Sequence, residues 1–366
     1  MLETKLGILK ELLSERPGIQ EYKVLVNGQE EKCLVYTDLV GSVHSGDQVL
    51  LNTTAQSLRL GSGGYHYVIA GLNGAEKDLP AGGHIMKLRY TPMQIKVLSA
   101  EEEDSPLHQD LKDADSLAGT PVLAATLHSM LGPLAMELHR AGLKVAYIMT
   151  DGAALPLKFS QTVDWLIQEG ILQGTVTIGH AFGGDVEAVN IYSGLLAARA
   201  AFRPDVIIVS MGPGIVGTGT RWGFSGVEQG IVLNAVETLQ GFPVAVPRIS
   251  FADARPRHQG LSHHTLTVLS RVCKIGCLLP LPRLKEDKMG LILEQAEREG
   301  LFGLHDICIE EESGALERFR SCKLKFTTMG RGVDQDPEFF AALAATAHAV
   351  TKVLAGQDLN RVTSTA

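Results

Sequence analysis

The sequence lacks the features that mark several large classes of protein. It has no apolar run that approaches the roughly 20 residues of a membrane-spanning helix. Its five cysteines are an odd number without the spacing of a disulfide framework, which is typical of a reducing compartment. Basic residues are not in excess either, because 33 Lys and Arg are outnumbered by 41 Asp and Glu. The acidic balance argues against a broad surface for duplex nucleic acid or anionic lipid.

The N-terminal segment MLETKLGILKELL is charged and amphipathic, with a helical period, and it lacks the apolar stretch of a signal peptide. Together with the cysteine usage, this favours a cytoplasmic location. Hydrophobic residues make up 45% of the chain and charged residues 20%, which is enough apolar surface for a substantial core. At 366 residues, two domains are the default expectation.

Residues 1–100 have the pattern of a small β-rich domain. The stretch YKVLVNGQEEKCLVY places two alternating apolar runs about Asn27 and Gly28, which is a strong hairpin signal. SGDQVLLNTT and YHYVIAGL add two strand candidates, and HIMKLRYTPMQIKVLSA is able to supply a further pair. We predict a β-barrel or curled sheet for this part of the chain.

Residues 101–366 instead alternate apolar strands with amphipathic helices. Segments of helical length separate five strand candidates, which begin at Pro121, Lys144, Gly174, Asp205 and Pro243. Several of these segments end at a glycine, where a helix C-cap belongs, namely at Gly142, Gly170 and Gly241. The alternation predicts an α/β fold with a mainly parallel sheet and helices on both faces, onto which the C-terminal segment 285–366 packs.

Polar residues at the ends of these strands predict where a site lies, because ligands of open parallel sheets bind beyond the carboxyl ends of the strands. Serine, threonine, aspartate and glycine at such places also cap the next helix, so capping is the alternative interpretation. The histidines are less easily explained as caps. The catalytic candidates at these strand ends are His128, Asp151, His180 and Asp185.

The stretch SMGPGIVGTGTRWGFSG contains a glycine loop (residues 212–226) after a strand. Its first glycines satisfy the dinucleotide pattern G-x-G-x-x-G, but further glycines follow, so no helix begins at the third glycine. The phosphate-lysine loop pattern is also absent. Consecutive glycine and threonine amides favour an anion-binding concavity, and a loop without a ligand is the alternative. The ligand-binding candidates in this loop are Gly212, Gly214, Gly217, Thr218, Gly219, Thr220 and Arg221.

The segment FADARPRHQGLSHHTLTVLSRV concentrates arginine, histidine and aspartate within a dozen positions. Asp253, Arg255 and His258 are ligand-binding candidates there, and His263 is a further catalytic candidate. Arg331, at another strand end, is able to join the site from the C-terminal tail. A divalent metal is an alternative, since imidazole and carboxylate suit Zn, Fe or Mn. The candidate metal ligands are His128, Asp151, His180, Asp253 and His264.

Several motifs that would identify a reaction are missing. The sequence has no HExxH, no HxH, no paired CxxC and no G-x-S-x-G nucleophile elbow. Cys273 and Cys277 lie in the apolar run RVCKIGCLLP, which predicts that both belong to the core.

Longer motifs resemble a known family. LLNTTAQSLRLGSGGY, GHIMKLRYTP, AYIMTDGAALP, TVTIGHAFGGDVEAVN, GPGIVGTGTRWGFSG and RHQGLSHH together resemble a bacterial family known only as a domain of unknown function. The resemblance extends from about Leu50 to Phe340. It implies a bacterial, cytoplasmic, single-chain protein of this two-part design. It brings no assigned activity, cofactor or catalytic residue.

Three functions are compatible with these residues. The leading hypothesis is an enzyme that binds a small anionic or phosphorylated metabolite through the glycine loop, with no cofactor identified. The second is a non-catalytic metabolite sensor or scaffold, which needs the pocket but not His128 or His180. The third is a metal-dependent hydrolase, which requires a bound divalent metal. We expect a small anionic partner rather than duplex nucleic acid or a membrane, and the mean hydropathy of +0.10 is compatible with a homodimer.

Overall fold

The computed structural model describes residues 1–59, 63–73, 78–79 and 81–363. The chain divides into two units, Met1–Lys96 and Val97–Ala366. Within the described residues, no helix combines the length and the apolar character needed to cross a membrane.

Five strands close into a β-barrel in the N-terminal unit, which confirms the barrel prediction. They are β1 (Thr4–Arg16), β2 (Ile19–Val26), β3 (Gln29–Tyr36), β4 (Gln48–Asn52) and β5 (Tyr65–Gly71). Two short helices accompany them, α1 (Thr37–Val40) and α2 (Thr54–Ser57). The strand order is β1-β2-β3-β5-β4, and neighbours are antiparallel except β3 and β5. Alternate residues of these strands fill the interior of the barrel with aliphatic side chains.

The turn between β2 and β3 is the hairpin that the sequence predicts. Asn27 and Gly28 both have positive φ, 49° and 84°, as a tight two-residue hairpin turn requires. The N-terminal segment is different, because residues with a helical period form the strand β1. Pairing of β1 with both β2 and β4 closes the barrel, and this tertiary pairing overrides the local helical period.

A second small sheet follows the barrel in the chain. β6 (Ile85–Lys87) pairs with β7 (Ile95–Val97), so the segment from His84 supplies the further strand pair.

An eight-stranded parallel sheet forms the centre of the second unit, which confirms the predicted α/β class. Its strands are β8 (Pro121–Ala124), β9 (Val145–Thr150), β10 (Leu172–Thr177), β11 (Val186–Glu187), β12 (Val206–Met211), β13 (Phe242–Ala245), β16 (Leu278–Pro282) and β17 (Asp306–Glu310). The order across the sheet is β11-β10-β9-β12-β8-β13-β16-β17. Two short hairpin pairs lie outside it, β14 (Ile249–Ser250) with β15 (Gly260–Leu261) and β18 (Thr327–Thr328) with β19 (Arg331–Gly332).

Helices cover both faces of this sheet. The longer ones are α4 (Leu131–Arg140), α5 (Gln161–Gln168), α6 (Ile191–Phe202), α7 (Glu228–Thr238), α9 (Glu286–Arg298) and α11 (Pro337–Leu354), and the shorter ones are α3 (His108–Leu111), α8 (His263–Thr267) and α10 (Ala315–Ser321). Successive strand residues point to opposite cores, since Tyr147 belongs to the core that includes residues of α4, α5 and α11, and Ala146 to the core that includes residues of α6, α7 and α9. Each face is therefore buried under its own helical layer.

Two of the three predicted C-cap glycines end their helices as expected. Gly142 and Gly170 follow α4 and α5 with φ of 83° and 67°. After α7, however, Gln240 takes the left-handed conformation with φ of 52°, and Gly241 does not have a positive φ. A Cβ at Gly241 would lie 2.8 Å from Val236 and 2.9 Å from Leu117, so this glycine serves close packing instead.

Candidate functional site

The loops after β9 and β12 meet at the carboxyl edge of the sheet. Ala154 N donates a hydrogen bond to Pro213 O over 3.0 Å. A Cβ at the buried Gly212 would clash with the carbonyl oxygen of Ala154. Glycine at the start of the glycine loop is therefore needed for the close approach of these two backbones.

His128 follows β8 and has hydrogen-bond partners on both ring nitrogens. Nε2 lies 2.6 Å from Ser160 Oγ, and Nδ1 lies 3.3 Å from both Met211 O and the Tyr147 hydroxyl. Ser160 Oγ also accepts a hydrogen bond from Val163 N, where Ser160 caps α5. Burial lowers the pKa of His128 to about 4, so the ring is neutral at physiological pH.

A cavity of about 260 Å³ opens beside this histidine. Its walls come from the strand ends, the glycine loop and the C-terminal tail, and the lining includes His128, Ser129, Pro213, Gly214 and Met329. The volume suits a small molecule of metabolite size.

Asp151 and Glu228 form a pair of neighbouring acids at the ends of β9 and the glycine loop. Thr150 Oγ1 donates to Glu228 Oε1 over 2.6 Å, and Asp151 Oδ2 accepts a hydrogen bond from His180 N over 2.9 Å. Burial, together with the negative charge of Asp151, raises the pKa of Glu228 to about 7, although the hydrogen bond from Thr150 acts in the opposite direction. A Cβ at Gly152 would lie 2.7 Å from Glu228 Oε2, so this glycine makes room for the carboxyl group.

The sequence analysis missed Glu228. It is the first residue of α7, and an acid at a helix N-terminus reads as a favourable partner of the helix dipole. Glu228 closely follows the glycine loop, which itself begins at the end of a strand. This position is the sequence feature that would have indicated it.

Asp185 has partners that tie it to the sheet. Its Oδ2 accepts hydrogen bonds from Thr175 N and Thr175 Oγ1, each over 2.8 Å. These bonds fasten the segment before the edge strand β11 to β10. This carboxylate therefore has a clear structural role, separate from the Asp151 and Glu228 pair.

The glycine loop folds back on itself as a small hairpin. Thr218 N donates to Gly223 O over 2.8 Å, and Gly223 N donates to Thr220 Oγ1 over 3.1 Å. The two threonine hydroxyls lie 3.0 Å apart and bond within the loop. Gly214 and Gly219 have positive φ, 109° and 82°, which explains glycine at both places. Arg221 is exposed at the tip.

Asp253 follows β14 and lies against Arg248, Arg255 and Arg331, which together with the exposed Arg257 are called here the arginine cluster. It accepts hydrogen bonds from Arg255 N, Nε and Nη2 over 2.8–3.0 Å, which hold the pKa of its carboxyl well below the ordinary range. The Nη2 atoms of Arg248 and Arg331 each lie 3.7 Å from Asp253 Oδ2.

Two further contacts complete this cluster. Arg331 Nε also donates to Asp336 over 3.0 Å, and the hydroxyl of Ser250 donates to the same carboxylate. Arg257 is exposed and lies against the glycine loop, since a Cβ at Gly219 would be 3.7 Å from its guanidinium carbon. The segment after β13 and the glycine loop therefore form one continuous surface.

His258, His263 and His264 lie together beside the arginines and are called here the histidine trio. Their ring centroids are 4.3–5.1 Å apart, and their nearest ring nitrogens lie within 4.8 Å of one another. Burial, followed by nearby charges that include the arginines, lowers the pKa of all three rings, to about 3 for His258. Three neutral imidazoles at this spacing are able to ligate a metal ion.

Hydrogen bonds fix the orientation of two of these rings. His258 Nδ1 lies 2.7 Å from Ser262 Oγ, and Ser262 caps α8, which carries the other two histidines. Arg248 Nη1 lies 3.4 Å from His264 Nδ1. His263 Nε2 is buried and has no hydrogen-bond partner among the described residues. The trio is therefore a group of three neutral rings beside arginine charges, and one of its buried ring nitrogens is open to a ligand.

Sequence comparison places the chain in a family. Residues 32–347 match the family described as a protein of unknown function, DUF3866. The chain belongs to this family. The resemblance noted from the motifs is thereby confirmed, and membership in DUF3866 carries no assigned activity. No curated protein matches the chain.

The structure of this DUF3866 protein thus brings several of the predicted residues into two neighbouring groups. One is Asp151 and His180 with the unpredicted Glu228, and the other is the arginine cluster with the histidine trio, whereas Asp185 belongs to neither. The glycine loop joins them, because Gly212 at its start packs on Ala154 and Phe224 near its end stacks on His264. His128 lies in the wall of the adjoining cavity.

Proposed function

We propose that the α/β unit is an enzyme that binds a small anionic metabolite at the carboxyl edge of its parallel sheet. The arginine cluster and the glycine loop hold the anionic group of this metabolite. The acid pair of Asp151 and Glu228 supplies proton transfer.

The observation that carries the proposal is the local charge. The whole chain has a formal charge of −8, yet three guanidinium groups, those of Arg248, Arg255 and Arg331, lie against the two carboxylates of Asp253 and Asp336, with Arg257 exposed nearby. Burial lowers the pKa of Arg248 to about 10, so it still carries a charge at neutral pH. The excess positive charge lies at a strand end, where α/β proteins bind ligands. An anion there would compensate it.

The histidine trio adds to this argument because its rings are neutral. A bound anion next to the rings would offset the arginine charges that lower their pKa values. Anion binding is then coupled to proton uptake by the trio. Guanidinium groups also suit planar, bidentate recognition of carboxylate or phosphate.

Glu228 is suited to proton transfer in the proposed reaction. A carboxyl group whose pKa is raised to about 7 is able both to give and to take a proton near neutral pH. The neighbouring charge of Asp151 is one cause of this raised pKa. Carboxyl groups whose pKa is shifted by burial and by a neighbouring charge are typical of active sites.

The experiment is a thermal-shift screen of the wild-type protein against phosphorylated and carboxylate metabolites, followed by NMR of each hit after incubation. We expect at least one anionic hit to bind and to be chemically converted. Glu228→Gln should keep binding and lose conversion, while the exposed control Glu169→Gln should keep both. If a metabolite binds wild type but is never converted, the protein is a metabolite sensor rather than an enzyme. The absence of any anionic hit would contradict the proposal.

A metal-dependent hydrolase is the second candidate, and the spacing of the histidine trio is the observation that favours it. A divalent ion there would add two positive charges beside Arg248, Arg255 and Arg257, which is unfavourable unless an anion binds at the same time. Removal of metal with a chelator separates the two functions. Anion binding that persists after chelation supports the first, and binding that disappears with the metal supports the second.

A further inference from the structure

Two cysteines and a histidine meet at the amino edge of the sheet, at the opposite ends of the strands from the arginine cluster. Cys277 directly precedes β16, and His305 directly precedes β17. These strands are parallel neighbours with Leu278 opposite Asp306, so the two preceding residues lie side by side. Cys273 follows a π-helical turn (Val268–Val272) that continues from α8, and its side chain joins them.

The three side chains are close together and shielded from solvent. Sγ of each cysteine and a ring nitrogen of His305 lie within 4.8 Å of one another, and Cys277 Sγ is 3.4 Å from His305 Nδ1. The exposed fractions are 6% for Cys273, 4% for Cys277 and 8% for His305. Burial of cysteine is common, but a buried histidine aimed at two thiols is not required by packing alone.

The orientation of His305 is that of a metal ligand. Its Nε2 donates a hydrogen bond to the carbonyl oxygen of Leu269 over 3.0 Å. That bond leaves the lone pair on Nδ1, which faces Cys277. Metal-ligating histidines are held in this way, with the distant ring nitrogen donating to a backbone carbonyl or a carboxylate.

We propose that Cys273, Cys277 and His305 bind a zinc ion as a structural site. Zinc prefers thiolate and imidazole ligands in tetrahedral coordination. Ile275 O, which lies 3.4 Å from Cys273 Sγ, or a water molecule supplies the fourth ligand. On binding, each cysteine loses its thiol proton to solvent and both sulfurs form bonds to the ion, with no change of oxidation state.

Charge distinguishes this site from the histidine trio. Two thiolates neutralise the two charges of zinc, so the complex with neutral His305 is uncharged and compatible with burial. In the histidine trio the same ion would stay doubly charged among arginines. The zinc would connect the π-helical turn with the starts of β16 and β17, and so stabilise the helix that begins at His263.

The test is metal analysis and native mass spectrometry of the full chain expressed with added zinc. Four variants accompany the wild type: Cys273→Ser, His305→Asn, His263→Gln and the matched control Cys308→Ser. Cys308 is a fully buried cysteine of β17 outside the cluster. We expect about one zinc per chain in wild type, C308S and H263Q, and loss of the zinc from C273S and H305N.

A second measurement uses only the wild-type protein, so it remains informative if a variant fails to fold. In the wild type, zinc should protect Cys273 and Cys277 from alkylation, and a chelator should remove this protection while that of Cys308 is unchanged. Wild-type protein without zinc, or equal alkylation of Cys273 and Cys277 with and without zinc, would overturn the site. Zinc that is lost from H263Q and retained by C273S would place the metal in the histidine trio and would also overturn it. Anion binding at the other edge does not depend on any of these outcomes.

Discussion

Phe224 stacks face to face on His264, with ring centroids 3.9 Å apart and planes 4° from parallel. This contact joins the glycine loop to α8, and it covers one face of an imidazole whose pKa is lowered first of all by burial. The side chain of Phe224 therefore shields one face of His264 and attaches the loop to α8.

Phe224→Ala should raise the pKa of His264 toward the ordinary value of about 6.5, because water would reach the ring and solvate its charged form. Phe224→Leu keeps an apolar cover and should leave most of the lowering in place. NMR titration of the histidine resonances measures both. An unchanged pKa in F224A, or an equal rise in F224L, would show that burial by Phe224 is not the cause.

Glu228 makes stability depend on pH in a direction that can be worked out. Its pKa is about 7 in the folded protein against 4.5 in the unfolded chain, so the folded state binds more protons between these values. Its contribution to the free energy of unfolding is therefore present at low pH and is lost as the pH rises toward 7. The free energy of unfolding of Glu228→Gln, relative to that of wild type, should be higher at pH 8 than at pH 5 by up to about 3 kcal/mol, because each unit of pKa shift corresponds to roughly 1.4 kcal/mol.

Denaturant titration at the two pH values measures this difference. Glu169→Gln, an exposed acid at the end of α5, is the control and should show no such gain. Equal stability differences for E228Q at pH 5 and pH 8 would mean that the carboxyl group is ionised normally.

His128 should produce the opposite dependence. Its pKa is about 4 in the folded protein and 6.5 in the unfolded chain, so the unfolded state binds more protons between these values. Stability should fall as the pH drops from 6.5 to 4, with a slope of up to about 1.4 kcal/mol per pH unit from this group. His128→Gln should reduce that slope in denaturant titrations, whereas His139→Gln, exposed on α4, should leave it intact. Equal slopes in all three proteins would refute a neutral, buried His128.

Gly212 and Gly290 offer a matched pair of glycine-to-alanine changes. A Cβ at Gly212 would meet the backbone of Ala154, which cannot move away as a flexible side chain can, so Gly212→Ala should cost about 1–3 kcal/mol of stability. A Cβ at Gly290 in α9 would meet no atom of the described residues within 4 Å, so Gly290→Ala should stabilise the protein by about 0.5–1 kcal/mol. Thermal unfolding of both variants measures this. A neutral G212A would mean that the loops after β9 and β12 do not pack so closely.

Much of the fold could be predicted because hydrophobic period and turn residues determine it locally. The apolar strand candidates beginning at Pro121, Lys144 and Asp205 contain β8, β9 and β12, and the Asn27-Gly28 turn is in place. Strand β1 could not be recognised, since its period is that of a helix and only pairing with β2 and β4 makes it a strand. Long-range pairing of this kind leaves little trace in a local pattern.

The location of the candidate site could be predicted, but the residues that contact each predicted side chain could not. Strand ends pointed to Asp151, His180 and Asp253, whose neighbours the structure now provides. Glu228 and Arg248 escaped because one resembles an ordinary helix start and the other lies in an apolar stretch. The pairing of Cys277 with His305 depends on the adjacency of β16 and β17, which a single sequence does not reveal.

The most direct test of the account is a calorimetric titration of inorganic phosphate into wild type, Arg257→Gln and Arg298→Gln. Arg257 is exposed beside the glycine loop, and Arg298 is exposed on α9, so both changes remove one surface charge. We predict that phosphate binds wild type and R298Q with the same affinity and binds R257Q about tenfold more weakly, or ~1.4 kcal/mol. Failure of wild type to bind phosphate, or equal affinity in R257Q and R298Q, would contradict an anion site in the arginine cluster.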